Sequence, residues 1–178
     1  QVMMVTTLSG GWGYPKENRG VLPPWGRDYN RPDYSGWLDY VARTVNDIKK
    51  SSGVPAKQRV YDFWNEPNND DFYMAWDARE KKGFPRLKEV YRQTYLLIKK
   101  GLPGYNGGKP LDPDALISAP GTSVGLNHGD ETFTAEFMSF AKAKDVVPDL
   151  WNWHFGDPDT LGVFNERMSH AASIGAAR

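Results

Sequence analysis

The stretch Arg59-Val60-Tyr61-Asp62-Phe63-Trp64-Asn65-Glu66-Pro67-Asn68 decides the fold and points to a site of chemistry. Its first half is rich in β-branched and aromatic residues, as buried strands are, and Pro67 cannot donate a backbone hydrogen bond, so the strand should end there. Glu66 therefore lies at the carboxyl end of the predicted strand, and the period-two alternation of strands predicts that Asp62, Trp64 and Glu66 share one face. In parallel α/β proteins, loops converge on ligands at this end. We interpret Glu66 as a candidate catalytic residue; a simple polar turn is the alternative.

Strand-like and helix-like segments alternate along the rest of the chain. Strands are predicted at residues 1–8, 60–66, 115–119 and 149–155, each bounded by glycine, proline or polar residues. Apolar residues at three- and four-residue steps predict a helix after each of the first three strands. These stripes are Trp37, Tyr40, Val41, Thr44, Val45 and Ile48, then Leu87, Val90, Tyr91, Thr94, Leu97 and Ile98, then Phe133, Phe137 and Phe140. Another helix is predicted around residues 165–174.

Apolar strands that alternate with helices indicate an α/β fold with a parallel sheet covered by helices. A doubly wound fold would carry a G-x-G-x-x-G phosphate loop after its first strand, and the sequence has none. Long aromatic loops after the strands favour a (β/α)8 TIM barrel instead. Because a whole barrel usually needs about 250 residues, we predict that residues 1–178 form one partial barrel domain, the central portion of a larger enzyme. A free-standing half barrel with open sheet edges is the alternative.

Composition narrows the classes of partner. Lys plus Arg and Asp plus Glu both count 22, so no net charge favours nucleic acid or an anionic membrane. No apolar run approaches the roughly 18 residues that cross a bilayer. The chain has no cysteine, and its three histidines lack the spacing of a zinc helix motif, so no metal and no other cofactor is predicted. The 7 Trp and 9 Tyr suit sugar rings as well as ordinary cores. A neutral partner fits best.

The chain resembles the clan A glycoside hydrolases, which are retaining (β/α)8 enzymes, and most closely family 39, the β-xylosidase-like group. The resemblance rests on the following segments: Trp64-Asn65-Glu66-Pro67-Asn68, Tyr91 to Lys100, Ile117-Ser118-Ala119-Pro120-Gly121-Thr122, and Trp151-Asn152-Trp153-His154-Phe155-Gly156. It implies that the four predicted strands are barrel strands three to six. It also implies that the substrate is a carbohydrate, either a polysaccharide or an oligosaccharide or glycoside derived from one.

The same resemblance assigns roles to individual residues. Glu66 would be the general acid/base, Asn65 would hold the hydroxyl next to the anomeric carbon, and His154 with its neighbour Trp153 would line the sugar pocket. Retaining hydrolysis needs a second carboxylate, about 5 Å from the first, to form the glycosyl intermediate. The strand-seven glutamate that serves as this nucleophile in the clan has no counterpart in these residues. Glu166 lies in a predicted helix, and a solvated helix face is its preferred interpretation.

Three aromatic residues on predicted loops, Trp12, Tyr14 and Trp76, lie at the presumed catalytic face. Each could stack on a sugar ring, and each could equally anchor its loop on the barrel rim.

Two alternatives to a catalytic domain stay open. The chain could be a non-catalytic carbohydrate-binding module that keeps the aromatic loops and lacks the nucleophile. It could also be a half barrel that self-associates through its open edges. The sequence assigns neither an oligomeric state nor a sugar specificity, and a secreted or periplasmic location is a guess.

Overall fold

A computed structural model of the protein describes residues 3–8, 23–67, 77–124 and 130–155. For residues 123–124, 130–132 and 153–155 it describes the backbone alone. In chain order the elements are β1 (Met4–Leu8), α1 (Ser35–Ser51), β2 (Arg59–Phe63), α2 (Pro85–Tyr95), β3 (Leu116–Ser118), β4 (Thr122–Val124), α3 (Asp130–Ala143) and β5 (Trp153–Phe155). Short 3-10 turns lie at Ala56–Gln58, Ala78–Lys81 and Asn106–Gly108, and α2 continues into a π-helical turn at Leu96–Lys100.

The strands pair in the parallel sense, in the order β1-β2-β3 in one sheet and β4-β5 in a second. Met4 of β1 lies opposite Arg59 of β2, and Val60 of β2 lies opposite Leu116 of β3. Further along, β4 pairs with β5 in the same parallel sense. With helices between the strands, the predicted parallel α/β fold is confirmed. Closure into a (β/α)8 barrel and the assignment to strands three to six remain predictions.

The third predicted strand does not end at Pro120-Gly121 as the sequence suggested. It is interrupted there and resumes as β4. Two isolated bridges show this continuity: Asn65, after β2, lies opposite Gly121, and Leu150, before β5, lies opposite Ser118. Together β3 and β4 therefore form one interrupted strand between β2 and β5. This correction matters, since the interruption lies beside Glu66.

The helices bury their predicted apolar stripes against the sheet. In α1 the buried residues are Trp37, Leu38, Val41 and Val45, and in α2 and its continuation they include Leu87, Val90, Tyr91, Leu97 and Ile98. The Trp37 indole donates a 2.8 Å hydrogen bond to the Thr94 hydroxyl and so ties α1 to α2. Tyr40, expected in the core, is 36% exposed because it lies on the flank of the α1 stripe, where it contacts Trp37.

A buried ion pair closes the amino end of the sheet. Arg59, at the start of β2, donates from Nε to Asp112 Oδ2 at 2.8 Å and from Nη2 to Oδ1 at 2.9 Å, and Tyr61 donates its hydroxyl to the same carboxylate. Burial alone raises the pKa of Asp112, but the hydrogen bonds from Arg59 and Tyr61, together with the Arg59 charge, outweigh it and hold that pKa below its usual value. The cluster satisfies its own polar groups and stabilises this end.

Among the described residues, none of the helices has the length and apolar character needed to cross a membrane.

Candidate active site

The candidate site lies at the carboxyl ends of the strands, where the chain leaves β2. The backbone there departs from a regular strand at Trp64, which has φ +56°. Its N–H donates to the Leu8 carbonyl of β1 at 2.9 Å, whereas its C=O accepts from the Gly121 N–H at 3.0 Å. In a regular strand both groups of one residue face the same neighbouring strand. Trp64 therefore bonds to the strands on both sides, and its carbonyl, which a regular strand would direct at β1, is directed at the interrupted third strand instead.

Glu66 is also left-handed, with φ +44°, and its N–H donates to the Gly121 carbonyl at 2.7 Å. Left-handed backbone is uncommon outside glycine and costs about 1–3 kcal/mol per residue, and such residues cluster at functional sites. The surrounding packing holds them in place. Trp64 is 1% exposed and its ring lies 5.3 Å from that of Trp37, centroid to centroid.

The side chains around this turn differ in exposure. Asn65 is buried at 7% exposure, whereas Glu66 is partly exposed. A carboxylate in this position can exchange protons with a bound molecule while the amide beside it stays fixed. The expectation from strand alternation that Trp64 shares a face with Asp62 is wrong, because the left-handed backbone turns the Trp64 ring toward Trp37 of α1.

Below the turn, one carboxylate connects the neighbouring strands. Asp62 is 6% exposed and accepts hydrogen bonds from Thr7 of β1 at 3.3 Å, from the Ser118 hydroxyl of β3, and from the Asn152 amide at 3.3 Å. The Ser118 hydroxyl oxygen also accepts from the Phe63 N–H at 3.3 Å. This network therefore connects β1, β2, β3 and the chain segment before β5 next to the turn that carries Glu66.

The strand that carries His154 reaches the same edge. Residue 154 lies opposite residue 123 of β4, and β4 continues the strand next to Glu66. At about 4.8 Å per strand, the backbone of His154 is on the order of 10 Å from that of Glu66. The side chains of Trp153 and His154 lie outside the described residues, and so do Trp12, Tyr14 and Trp76 entirely. Their predicted sugar contacts remain predictions.

One polar group at this edge was not singled out from the sequence. The Thr122 side chain is fully buried, and its hydroxyl has no hydrogen-bond partner among the described residues. Only the pairing with β5 places Thr122 in the site, so no local sequence signal could have identified it.

A second missed residue, Glu80, anchors the chain after the loop that follows β2. It is fully buried; its carboxylate accepts from the Tyr29 hydroxyl at 2.7 Å and from the backbone N–H groups of Arg86 and Leu87 at 3.0 and 3.1 Å. Burial and the neighbouring Glu80 raise the pKa of Tyr29. A carboxylate at a helix N-terminus satisfies free N–H groups and the helix dipole. Glu80 thereby fixes the start of α2 to the loop after β1.

No group of three or more acidic or histidine side chains within the described residues could hold a metal ion. The described arrangement sets a partly exposed carboxyl side chain, that of Glu66, beside the buried amide of Asn65.

No family model matches the chain. A curated relative, the 3-O-β-L-arabinopyranosyl-α-L-arabinofuranosidase of Bifidobacterium pseudocatenulatum, is 26% identical over 151 residues, which cover 80% of this chain and 15% of the relative. Among solved structures, a GH39 β-xylosidase from Caulobacter crescentus is 21% identical with a TM-score of 0.47, over 70% of this chain and 23% of that one. The GH39 enzyme of Xanthomonas axonopodis pv. citri is 17% identical with a TM-score of 0.42, over 70% and 20%.

The resemblance to glycoside hydrolases is confirmed by the curated relative, which is a glycosidase by name, and the similar structures are named as GH39 enzymes. The chain spans 15% of the length of the curated relative.

Proposed function

We propose that this chain forms part of a retaining glycoside hydrolase, with Glu66 as the general acid/base and a nucleophile contributed by another part of the enzyme. Its strands would be strands three to six of a (β/α)8 barrel, and residues 1–178 would belong to one catalytic domain. The carboxyl end of β2 would then face the substrate, as catalytic residues do in barrel enzymes.

One observation carries the proposal. Glu66 follows the carboxyl end of a parallel strand in a left-handed conformation, partly exposed, and its backbone is held to Gly121 by a 2.7 Å hydrogen bond. A general acid must reach the leaving oxygen and return to the same position when it later acts as a base. A partly exposed side chain on fixed backbone at the end of a strand meets both requirements.

The neighbouring residues have distinct roles in this proposal. Asn65, buried beside Glu66, would hold the hydroxyl next to the anomeric carbon. His154 would reach the sugar from β5, and Trp153 would line the same pocket, since their strand ends at the same edge. Trp12, Tyr14 and Trp76 would stack on sugar rings from their loops.

The substrate proposed is a neutral poly- or oligosaccharide. The curated relative, an arabinofuranosidase by name, supports a glycoside as the substrate class. The formal net charge of 0 fits an uncharged partner.

The test is Glu66→Gln in the full polypeptide that carries this sequence, assayed on aryl glycosides with good and with poor leaving groups. Loss of a general acid should reduce turnover by about 10²–10⁴-fold on poor leaving groups and much less on good ones, which depart without a proton. Glu136→Gln is the matched control, because Glu136 lies on α3, is exposed, and pairs only with Lys88 among the described ion pairs.

Equal turnover of Glu66→Gln and the wild-type enzyme on poor leaving groups would rule out the acid/base role. Sugar binding by the wild-type polypeptide without turnover on any glycoside would favour the carbohydrate-binding alternative instead.

A further inference from the structure

The backbone that follows β2 stops alternating regularly between its two neighbouring strands at Trp64, and the third strand offers a reason. Up to Trp64 the N–H groups alternate in direction: the Phe63 N–H faces β3, where it donates to Ser118 Oγ and not to a backbone carbonyl, and the Trp64 N–H faces β1. On the third strand, the Ala119 N–H faces away from β2 and donates to the Leu150 carbonyl at 2.8 Å. The next residue along that strand, position 120, therefore faces β2.

Position 120 is a proline. In a regular parallel ladder its N–H would donate to the Phe63 carbonyl, and proline has no N–H to give. The next donor along the strand is the Gly121 N–H, which bonds to the Trp64 carbonyl at 3.0 Å. That bond requires the Trp64 carbonyl to turn from β1 toward the third strand. The left-handed φ of Trp64 accomplishes this turn.

We infer that Pro120 is a positioning residue for Glu66. By removing the ladder donor opposite Phe63, it makes the left-handed turn at Trp64 the better-paired arrangement, and this turn sets the direction in which Glu66 leaves the sheet. The Ser118 hydroxyl, held by Asp62, fixes Phe63 as the last regular residue before the turn. The inference rests on the proposed acid/base function of Glu66.

The experiment is Pro120→Ala in the full polypeptide, with Pro148→Ala as the matched control. Pro148 is also buried, but it lies ahead of the bridge at Leu150, away from Glu66. Alanine at position 120 supplies the missing N–H, so a regular ladder can form and Trp64 can return to negative φ. We expect kcat on poor leaving groups to fall at least tenfold with KM nearly unchanged, and kcat on good leaving groups to fall much less.

A crystal structure of the Pro120→Ala enzyme should show Trp64 at negative φ and the new N–H at position 120 bonded to the Phe63 carbonyl. Two results would overturn the inference: an unchanged left-handed Trp64, or kinetics indistinguishable from those of Pro148→Ala. Glu66→Gln is assayed in parallel. If Glu66→Gln shows no leaving-group dependence, the proposed function fails; if it does and Pro120→Ala does not, only the positioning role fails.

Should Pro120→Ala not fold, Ser118→Ala and Thr7→Val give a second test. Each removes one hydroxyl that donates to Asp62, but only Ser118 also accepts from the Phe63 N–H. Ser118→Ala should speed hydrogen exchange of the Phe63 amide more than Thr7→Val does and lower kcat severalfold more on poor leaving groups. Equal effects of the two substitutions on both measurements would overturn the inference.

Discussion

The polar residues at the two ends of the β2 strand differ in burial and in backbone conformation. At the amino end, Arg59, Tyr61 and Asp112 are buried and bond to one another through a two-pronged ion pair. At the carboxyl end, the backbone of Trp64 and Glu66 is left-handed and Glu66 is a partly exposed residue. One end joins its charged groups in a buried ion pair, whereas the other carries a partly exposed glutamate on strained backbone.

This difference separates stability from function along one short strand. In parallel α/β proteins ligands bind at the carboxyl ends of the strands, while the opposite end mostly supports the fold. Strained residues persist only where the surrounding structure determines their conformation. Trp64, packed on Trp37 and hydrogen bonded to two neighbouring strands, provides that support for Glu66.

The largest expected effect on stability is at the amino end. Asp112→Asn leaves the Arg59 guanidinium buried without its carboxylate, and we expect the free energy of unfolding to fall by roughly 3–5 kcal/mol. Glu66→Gln at the other end should lower it by much less, because Glu66 is partly exposed and glutamine keeps the size and shape of the side chain. Urea denaturation measures both variants, and turnover per folded molecule should show the reverse order. Similar losses of unfolding free energy in the two variants would contradict the claim that the amino end of β2 contributes more to stability than the carboxyl end.

A smaller effect tests the backbone strain at Glu66 directly. Because glycine adopts positive φ freely, Glu66→Gly should be more stable than Glu66→Ala by about 1 kcal/mol. The order should reverse at Glu136, inside α3, where alanine is favoured over glycine by about 1 kcal/mol. Thermal or urea unfolding of the four variants provides the comparison. The same order at both positions would contradict a strained Glu66.

The smallest effect concerns acid pH. The Asp112 pKa is lower in the folded protein than in the unfolded chain, so its contribution to stability is fully present above the unfolded value of about 3.9 and is lost as the pH falls through the folded value. The free energy of unfolding should therefore decline below about pH 4, and less steeply in Asp112→Asn than in the wild-type protein. Urea denaturation between pH 2 and 7 measures the slopes. Parallel slopes would show that the amino-end pair is not coupled to protonation.

The sequence anticipated much of this arrangement. Periodicity identified the α1 and α2 stripes, and the chemistry of Pro67 placed Glu66 at the carboxyl end of the second strand, although β2 itself already ends at Phe63. It mistook the interruption at Pro120 for the end of a strand and placed Trp64 on the same face as Asp62. Both errors arose because period-two alternation assumes regular backbone, and the structure is irregular at these two positions.

Local composition and periodicity by themselves determined the alternation of strands and helices, the apolar stripes and the position of Glu66 at a strand end. These features depend on residues near one another in the chain. Only the tertiary structure decided the left-handed turn at Trp64, the Asp62 network and the burial of Glu80. Each of these depends on which donor a distant segment offers, as Gly121 does for Trp64 and Ser118 for Asp62, and no local pattern contains that information.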